Sequence, residues 1–307
     1  MRFRRRNKIS NTAGEMAFDT FNVLFMLSLC FVMLYPFWYV LIYSFNEGRD
    51  AALGGIWFWP RQFTVFNYRY VLGNPYISNA YFVTIARSVI GPLVHLVTTA
   101  FAAFALSKKE LPFRKGIIYY FMVPMFIGGT LVSNYVVMAR LGLINNFLIY
   151  VLPGAFGFFM MIVIRTFFEQ LPEALEESAY IDGAGYVMIF FRITLPLSGP
   201  IVATTLFFSA VGHWLDFSTS LIYITRPRLQ TLQYILYQIV IANDTAELMR
   251  QVNSGVLLDT LGGRATPITS QVLQMTTLVV VTFPLLFVYP FFQKYFIKGV
   301  LIGAVKA

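Results

Sequence analysis

The chain has little charge, one cysteine and two histidines. Only 12% of its 307 residues are charged, against about 25% in a soluble globular domain. With 58% hydrophobic residues and a mean hydropathy of +0.67, this excludes a large water-facing surface and leaves no material for a second soluble domain. The single cysteine, Cys30, rules out a disulfide framework and a CxxC metal site. His95 and His213 are too far apart to form a metal-ligand spacing, so no metal is expected. Three catalytic signatures are also missing. Without a GxxxxGK[ST] phosphate loop the chain is not expected to bind ATP in that manner, and without GxSxG or HExxH an intramembrane hydrolase has no support. The chain is read as non-enzymatic.

What it has in place of charge is long apolar runs. A hydrocarbon core of about 30 Å takes about 20 apolar residues per helix. Six runs meet that length: 21–45, 79–107, 116–138, 144–168, 193–224 and 270–293. Each exceeds the ~10 residues of a barrel strand, and backbone polar groups in lipid must be satisfied internally. The expectation is an all-α integral membrane protein with six transmembrane helices. A basic N-terminus covers 1–20, a transmembrane domain 21–297 and a C-terminal tail 298–307. The apolar run after the basic MRFRRRNK start is long and lacks a small-residue cleavage site, so it reads as a retained span.

The net charge of +9 is explained by placement rather than by nucleic acid. All seven lysines (8, 108, 109, 115, 294, 298 and 306) fall on the face shared with the N-terminus, with arginines 2, 4, 5, 6, 114, 165 and 192. The opposite face carries arginines 49, 61, 69, 140, 226, 228, 250 and 264 and no lysine. By the positive-inside rule both termini are cytoplasmic. Every run contains a proline (Pro36, Pro92, Pro124, Pro153, Pro200, Pro284), compatible with ordinary membrane-helix composition or with kinked helices framing a cavity. The last outer loop, 225–269, includes Asp244, Glu247, Arg250 and Asp259, and its segment 229–241 suits a surface amphipathic helix. Loops this long are usually functional or disordered, and this one is expected to meet an extracytoplasmic partner.

Between the fourth and fifth runs lies LPEALEESAYIDGAGYVMIFFRITLP, residues 171–196. Pro172 and Glu173 suit a helix start. Glu169, Glu173 and Glu177 would share a face if the helix were continuous. Asp182-Gly183 permits a sharp turn, and a second apolar helix follows from Tyr186. The result is a helix–turn–helix knob over 169–192, mixing apolar and acidic groups, that suits an external groove.

This stretch resembles the EAA loop of bacterial ABC importer permeases, a pattern of EAA, three residues, Gly, nine residues and Ile-x-Leu-Pro. Glu177, Ser178, Ala179, Gly183, Ile193, Leu195 and Pro196 stand at those spacings, with Ser178 in place of the usual alanine. Ala102–Lys108 with Leu111–Arg114, Leu141-Gly142-Leu143 with Asn145, Trp214–Phe217, Arg226-Pro227 and the tail Tyr295–Ala307 resemble the sugar-uptake branch, its MalG-type subunits and, within these, the LplC/YtcP group. The resemblance covers essentially the whole chain. It implies the type I importer permease fold and uptake of oligosaccharides, complex or acidic ones included. It also implies a MalF-type second permease, a homodimeric cytoplasmic ATPase holding ATP and Mg, and an extracytoplasmic solute-binding protein. Glu173, Glu177, Ser178, Ala179, Asp182, Gly183, Ala184, Ile193, Leu195 and Pro196 would then form the ATPase-coupling surface. Gly303, Ala304, Val305 and Lys306 would be a tail contact to the ATPase.

The substrate path is less legible. Polar residues within spans are costly and default to functional candidates. They are Arg87, Asn134, His213 and Asp216, with His95 read rather as a satisfied interface histidine. His213 and Asp216 are three apart and expected on one helix face. Two other readings stay open: an ion-coupled secondary transporter, which would need broken helices and an internal repeat, and an ABC permease for a non-sugar solute.

Overall fold

A computed structural model describes residues 13–241 and 269–304. The apolar runs become helices, but only three of these are long and apolar enough to cross a membrane unbroken: the first, the second and the last. The described residues fall into two units, one with 13–68 and 269–279, the other with 69–241 and 280–304.

In the first unit, α1 (Ala13–Ser44) runs 32 residues through Pro36. Its apolar side chains are mostly exposed as far as Trp38, whereas Ile42, Tyr43 and Ser44 are buried. A short helix, α2 (Gly48–Ala52), and a single antiparallel bridge, Asn46 to Phe63, fold over that end. Ile42, Tyr43, Ala51, Ile56 and Val272 form the small core beneath.

After α3 (Phe66–Leu72), the axis of the larger unit is α4 (Pro75–Ser107), 33 residues capped by Asn74, whose side chain accepts from the Tyr76 amide at 2.9 Å. The next three expected spans are not continuous helices. The run at 116–138 splits into α5 (Arg114–Phe126) and α6 (Leu131–Arg140), bent by 116°. Pro124 and the Gly128-Gly129 pair remove helix hydrogen bonding and side-chain support at the break. The run at 144–168 opens with a 3₁₀ turn, Phe147–Tyr150, and turns irregularly past Pro153. It becomes helical again only as α7 (Phe158–Phe168), of 11 residues. Two helices follow, α8 (Glu173–Ile181) and α9 (Tyr186–Leu197), the latter widened into a π turn over Phe190–Thr194. There Pro196 has no N–H to give to the carbonyl four residues back. The run at 193–224 is bent by 84° between α9 and α10 (Gly199–Leu215), then broken again at Asp216 before α11 (Ser218–Tyr223).

The segment expected as a surface amphipathic helix forms α12 (Leu232–Ile241). It is not merely superficial: Leu232 is fully buried, its amide donates to Thr84 Oγ1 of α4 at 2.9 Å, and Tyr237 stacks on Phe217 at 4.7 Å. Asp244, Glu247, Arg250 and Asp259 lie outside the described residues. The last helix, α13 (Ser270–Ala304), continues through Pro284 and Pro290. Gly303 and Ala304 are its final residues, while Val305 and Lys306 lie outside the described residues. Within the larger unit the indole N–H of Trp214 donates to the Val281 carbonyl at 3.1 Å, tying α10 to α13. The main core joins α4, α7 and α9 through Ala100, Phe104, Met161, Ile164, Ile189 and Phe190.

Candidate functional site: an exposed knob and a buried polar junction

The knob stands on the core at the Ser107 end of α4. α8 ends in a full glycine cap. Gly183 has φ +85°, its amide donates to the Tyr180 carbonyl at 3.0 Å, and the Ala184 amide donates to Ala179 at 2.9 Å. This is the Schellman pattern, which needs a left-handed residue one place past the helix and a small apolar contact across it. Ala179 and Ala184 supply that contact, both packed against the main core. Ser178 donates its hydroxyl to the Leu175 carbonyl at 3.2 Å, so serine at the alanine position leaves no unsatisfied group. Asp182 caps α8 and is exposed. Ile193 and Leu195 are partly buried in the π-turned helix, and Pro196 is exposed. Ile181 (84% exposed) and Tyr180, Tyr186 and Val187 (all 58% or more) make an apolar outer surface.

The three glutamates do not share one helix face, because α7 stops at Phe168 and α8 starts afresh after Pro172. Glu169 and Glu173, with the neighbouring Glu176, each take a different cationic partner. Glu169 accepts from Arg165 at 2.9 Å and from Arg114, whose Nε also donates to the Leu106 carbonyl at 2.7 Å. Glu173 pairs with Lys109 at 2.8 Å, and Glu176 pairs with Lys108. The Lys109 ammonium holds the exposed Glu173 carboxyl below its usual range, and Glu173 in turn raises Lys109. Glu177 lines a small cleft together with Lys108, Lys109, Glu173 and Glu176 and, among the described residues, has no hydrogen bond or ion pair. Sequence reasoning found the knob but missed this network, which ties α8 to the end of α4. The clustering of opposite charges in 108–114 and 165–176 was its available signal.

The second constellation is buried in the larger unit. Arg87 of α4, with a side chain 3% exposed, donates from Nη2 to Asp216 Oδ2 at 2.6 Å and from Nη1 to the Asp216 carbonyl at 3.1 Å. Asp216 Oδ1 accepts from the Ser218 hydroxyl at 2.6 Å and the Thr219 amide at 3.2 Å. The guanidinium lies over the Tyr150 ring at 4.4 Å, and the Tyr150 hydroxyl donates to the Leu229 carbonyl at 2.7 Å and meets Ser220 Oγ at 3.0 Å. A cavity of about 360 Å³ is lined by Arg87, His95, Tyr150, His213, Asp216 and Thr219 among others. α10 ends at Leu215, so His213 and Asp216 do not share a helix face, yet both line this cavity. His213 packs over Gly91, where a Cβ would overlap its ring, and His95 lies against Gly157 in the same way. The structure thus joins Arg87, His213 and Asp216. Asn134 is not with them: it is exposed on α6, its side chain against Gly129. Tyr150 was missed, since a tyrosine in an apolar run gives no signal of its own.

Asn145 closes the neighbouring turn from a left-handed backbone (φ +55°). Its Oδ1 accepts from the Thr225 amide at 2.7 Å and the Arg226 amide at 3.0 Å, and its Nδ2 donates to Thr225 Oγ1 at 2.8 Å. Gly142 (φ +69°) ends α6 with a second Schellman cap, in which Leu143 donates to Met138 at 3.0 Å. Both pieces of the Leu141–Asn145 motif are therefore backbone devices.

The strand-free described fold, built on broken helices with an exposed helix–turn–helix, is that of an importer permease. It superposes with a TM-score of 0.82 on a chain of a bacterial ABC transporter involved in import of the acidic polysaccharide alginate, at 23% identity over 93% of this chain and 99% of that one. Residues 1–302 match the family described as binding-protein-dependent transport system inner membrane component, and the chain belongs to it. Among similar proteins, Protein LplC of Bacillus subtilis is 36% identical over 96% of this chain and 97% of its own. The polygalacturonan/rhamnogalacturonan transport system permease protein YtcP of the same organism is 33% identical over 94% and 98%.

Proposed function

We propose that this subunit forms half of the translocation path of an ATP-driven oligosaccharide importer in the bacterial inner membrane and receives the ATPase stroke through the knob at 169–192. A MalF-type permease completes the path, a pair of cytoplasmic ATPase subunits holds Mg-ATP, and an extracytoplasmic binding protein delivers the sugar. Acidic oligosaccharides are the favoured substrate class, because one of the two relatives, YtcP, and the structural neighbour carry acidic polysaccharides in their names.

In this reading the chain crosses the bilayer six times with both termini inside. α1, α4 and α13 cross unbroken. α5 and α7 are each shorter than a bilayer, and the segment between them, with α6, the 3₁₀ turn and irregular backbone, completes their crossings. Irregular backbone at membrane depth is tolerated where protein buries it or where it lines a watery cavity, so the broken spans mark the path. Along α4, Arg87 stands twenty residues before Ser107, about 30 Å and one hydrocarbon thickness away. That distance supports an outer-mouth position for the Arg87–Asp216 junction over one at mid-bilayer.

The observation that carries the coupling role is Glu177, an exposed carboxylate at the edge of an apolar surface, beside three glutamates that already have cationic partners. A basic group on the ATPase supplies the missing partner through a charge-assisted bond. The salt bridges from α8 to Lys108 and Lys109 then transmit knob motion to α4. The test is the ATPase rate of the full complex in liposomes with its binding protein, across neutral and acidic oligosaccharides. Stimulation by the acidic class, lost in Glu177→Ala with the complex still assembled, is expected. A complex without nucleotide dependence would instead support ion coupling.

A further inference from the structure

The uncharged stretch containing α1 runs from Thr20 to Asn46, about 40 Å of helix and some 10 Å more than a hydrocarbon core needs. The sequence does not say which part leaves the membrane, but the fold at its Ser44 end bears on the choice. Beyond Ser44 the chain passes through α2 and reverses at Gly54 and Gly55, two consecutive left-handed residues (φ +70° and +72°) that only glycine adopts without strain. Arg61 holds the reversal by donating to the Gly54 carbonyl at 2.6 Å, the Asp50 carbonyl at 2.9 Å and Asp50 Oδ2 at 3.1 Å. Ile56 is buried in the small core as an anchor. Trp57, Phe58 and Trp59 then lie back along α1, well short of its end. The Trp38 indole donates to the Phe58 carbonyl at 3.1 Å and Trp38 packs edge-on to Trp59 at 5.8 Å. The Phe58 ring meets Tyr35 at 5.8 Å.

Three large aromatic side chains are thus held out by a built turn, Trp57 at 63% exposure and Trp59 at 73%. We infer that Trp57, Phe58 and Trp59 form a shelf seated in the lipid headgroup interface, fixing the depth at which α1 sits. Two observations choose lipid as the occupant. Exposure along α1 changes at this level, with apolar side chains open up to Trp38 and closed by the polar cap of Asn46, Asp50, Arg61 and Asn67 beyond it. Below the shelf, the first charged residue is Asp19, nineteen residues before Trp38, or about 28 Å, which matches the hydrocarbon core. Tryptophan, with an apolar body and one donor, is the side chain that prefers this boundary. The last six residues of α1 are then a stalk standing outside the membrane. The inference rests only on α1 being a span.

Nitroxide labels in a Cys30→Ser background, with cysteine-free partner subunits and the full complex in phosphatidylcholine–phosphatidylglycerol vesicles, report depth through collision with oxygen or with a water-soluble nickel chelate. Labels at Trp59→Cys and Phe58→Cys are expected to show severalfold higher oxygen-to-nickel ratios than one at Leu53→Cys, with Phe31→Cys higher still. Nickel access at 59 equal to that at 53 would overturn the shelf, as would exclusion of both reagents there, which marks a protein partner. If Phe31 read as water, the span itself would fall. Because these variants remove rings, 5-fluorotryptophan in the intact subunit, assigned with Trp57→Phe and Trp59→Phe, gives the same comparison by fluorine relaxation. Nickel broadening of both rings would again overturn the shelf.

Discussion

At the Arg87 junction, the Asp216 carboxylate accepts from a guanidinium, a hydroxyl and an amide, and the guanidinium is covered by an aromatic face. At the Glu177 knob, carboxylates stand at a surface with exposed tyrosines, Ile181 and Val187 around them, and one has no partner among the described residues. Both clusters mix charge with apolar surface in the same unit. The junction pairs its two charges within the chain, as buried charge requires, leaving the Arg87 Nε without a hydrogen-bond partner. The knob is open, and its exposed apolar area resembles an interface awaiting its other half. Residues of the first kind hold the subunit together, whereas residues of the second kind work on another protein, so substitutions should separate into losses of folding and losses of coupling.

The largest effect is expected at the junction. Arg87→Met leaves Asp216 without its buried counter-ion, and breaking such a pair costs about 3–5 kcal/mol. The yield of assembled complex and its thermal midpoint should fall sharply. The double variant Arg87→Met with Asp216→Leu removes both charges and should recover much of the loss. If Arg87→Met assembled normally but transported poorly, the junction would belong with the knob as a working surface and the contrast would fail.

Gly183→Ala should do the reverse. An alanine held at φ +85° costs about 1–2 kcal/mol, confined to an exposed cap with open space around it. The complex should assemble, while sugar-stimulated ATPase activity uncouples from uptake as α8 loses its fixed end. Gly185→Ala is the matched control, since Gly185 has φ −75° and open space around it, and it should change little. Equal effects from both would show that the cap geometry does not matter.

The clusters differ also in how far the sequence disclosed them. The knob was readable because its signals are local: Pro172 starts a helix, Asp182-Gly183 ends it, and the motif spacing falls within one loop. Arg87, His213 and Asp216 were visible singly as polar residues in apolar runs. Their association was not, since Arg87 and Asp216 are brought together across 129 residues by the packing of α10 on α4. Asn134 carried the same signal and belongs elsewhere, because hydropathy does not register which way a helix faces after a bend. The breaks were hidden for a related reason. Apolar content stays high on both sides of Ile127–Thr130 and across 151–157 while the backbone turns, and glycine and proline mark the turn. Proline alone was no guide: Pro36, Pro92 and Pro284 lie inside continuous helices.

The smallest effect tests whether the knob's own salt bridges are structural. Lys109 and Glu173 are 73% and 75% exposed, so water and salt screen their attraction strongly. Glu173 is held below its ordinary range, so whatever stability the pair adds is present above the unfolded carboxylate's pKa and lost as pH falls through the lowered value. Lys109 is raised, so its share is present below the ordinary lysine pKa and lost only as pH rises through the raised value. Between those limits Lys109→Gln should leave the thermal midpoint unchanged at physiological salt, and any small difference at low salt should vanish at high salt. A clear loss of stability that survives high salt would mean that α8 is held to α4 from within the chain. The knob would then be closed like the junction, and Glu177, rather than the whole outer surface, would be what it offers the ATPase.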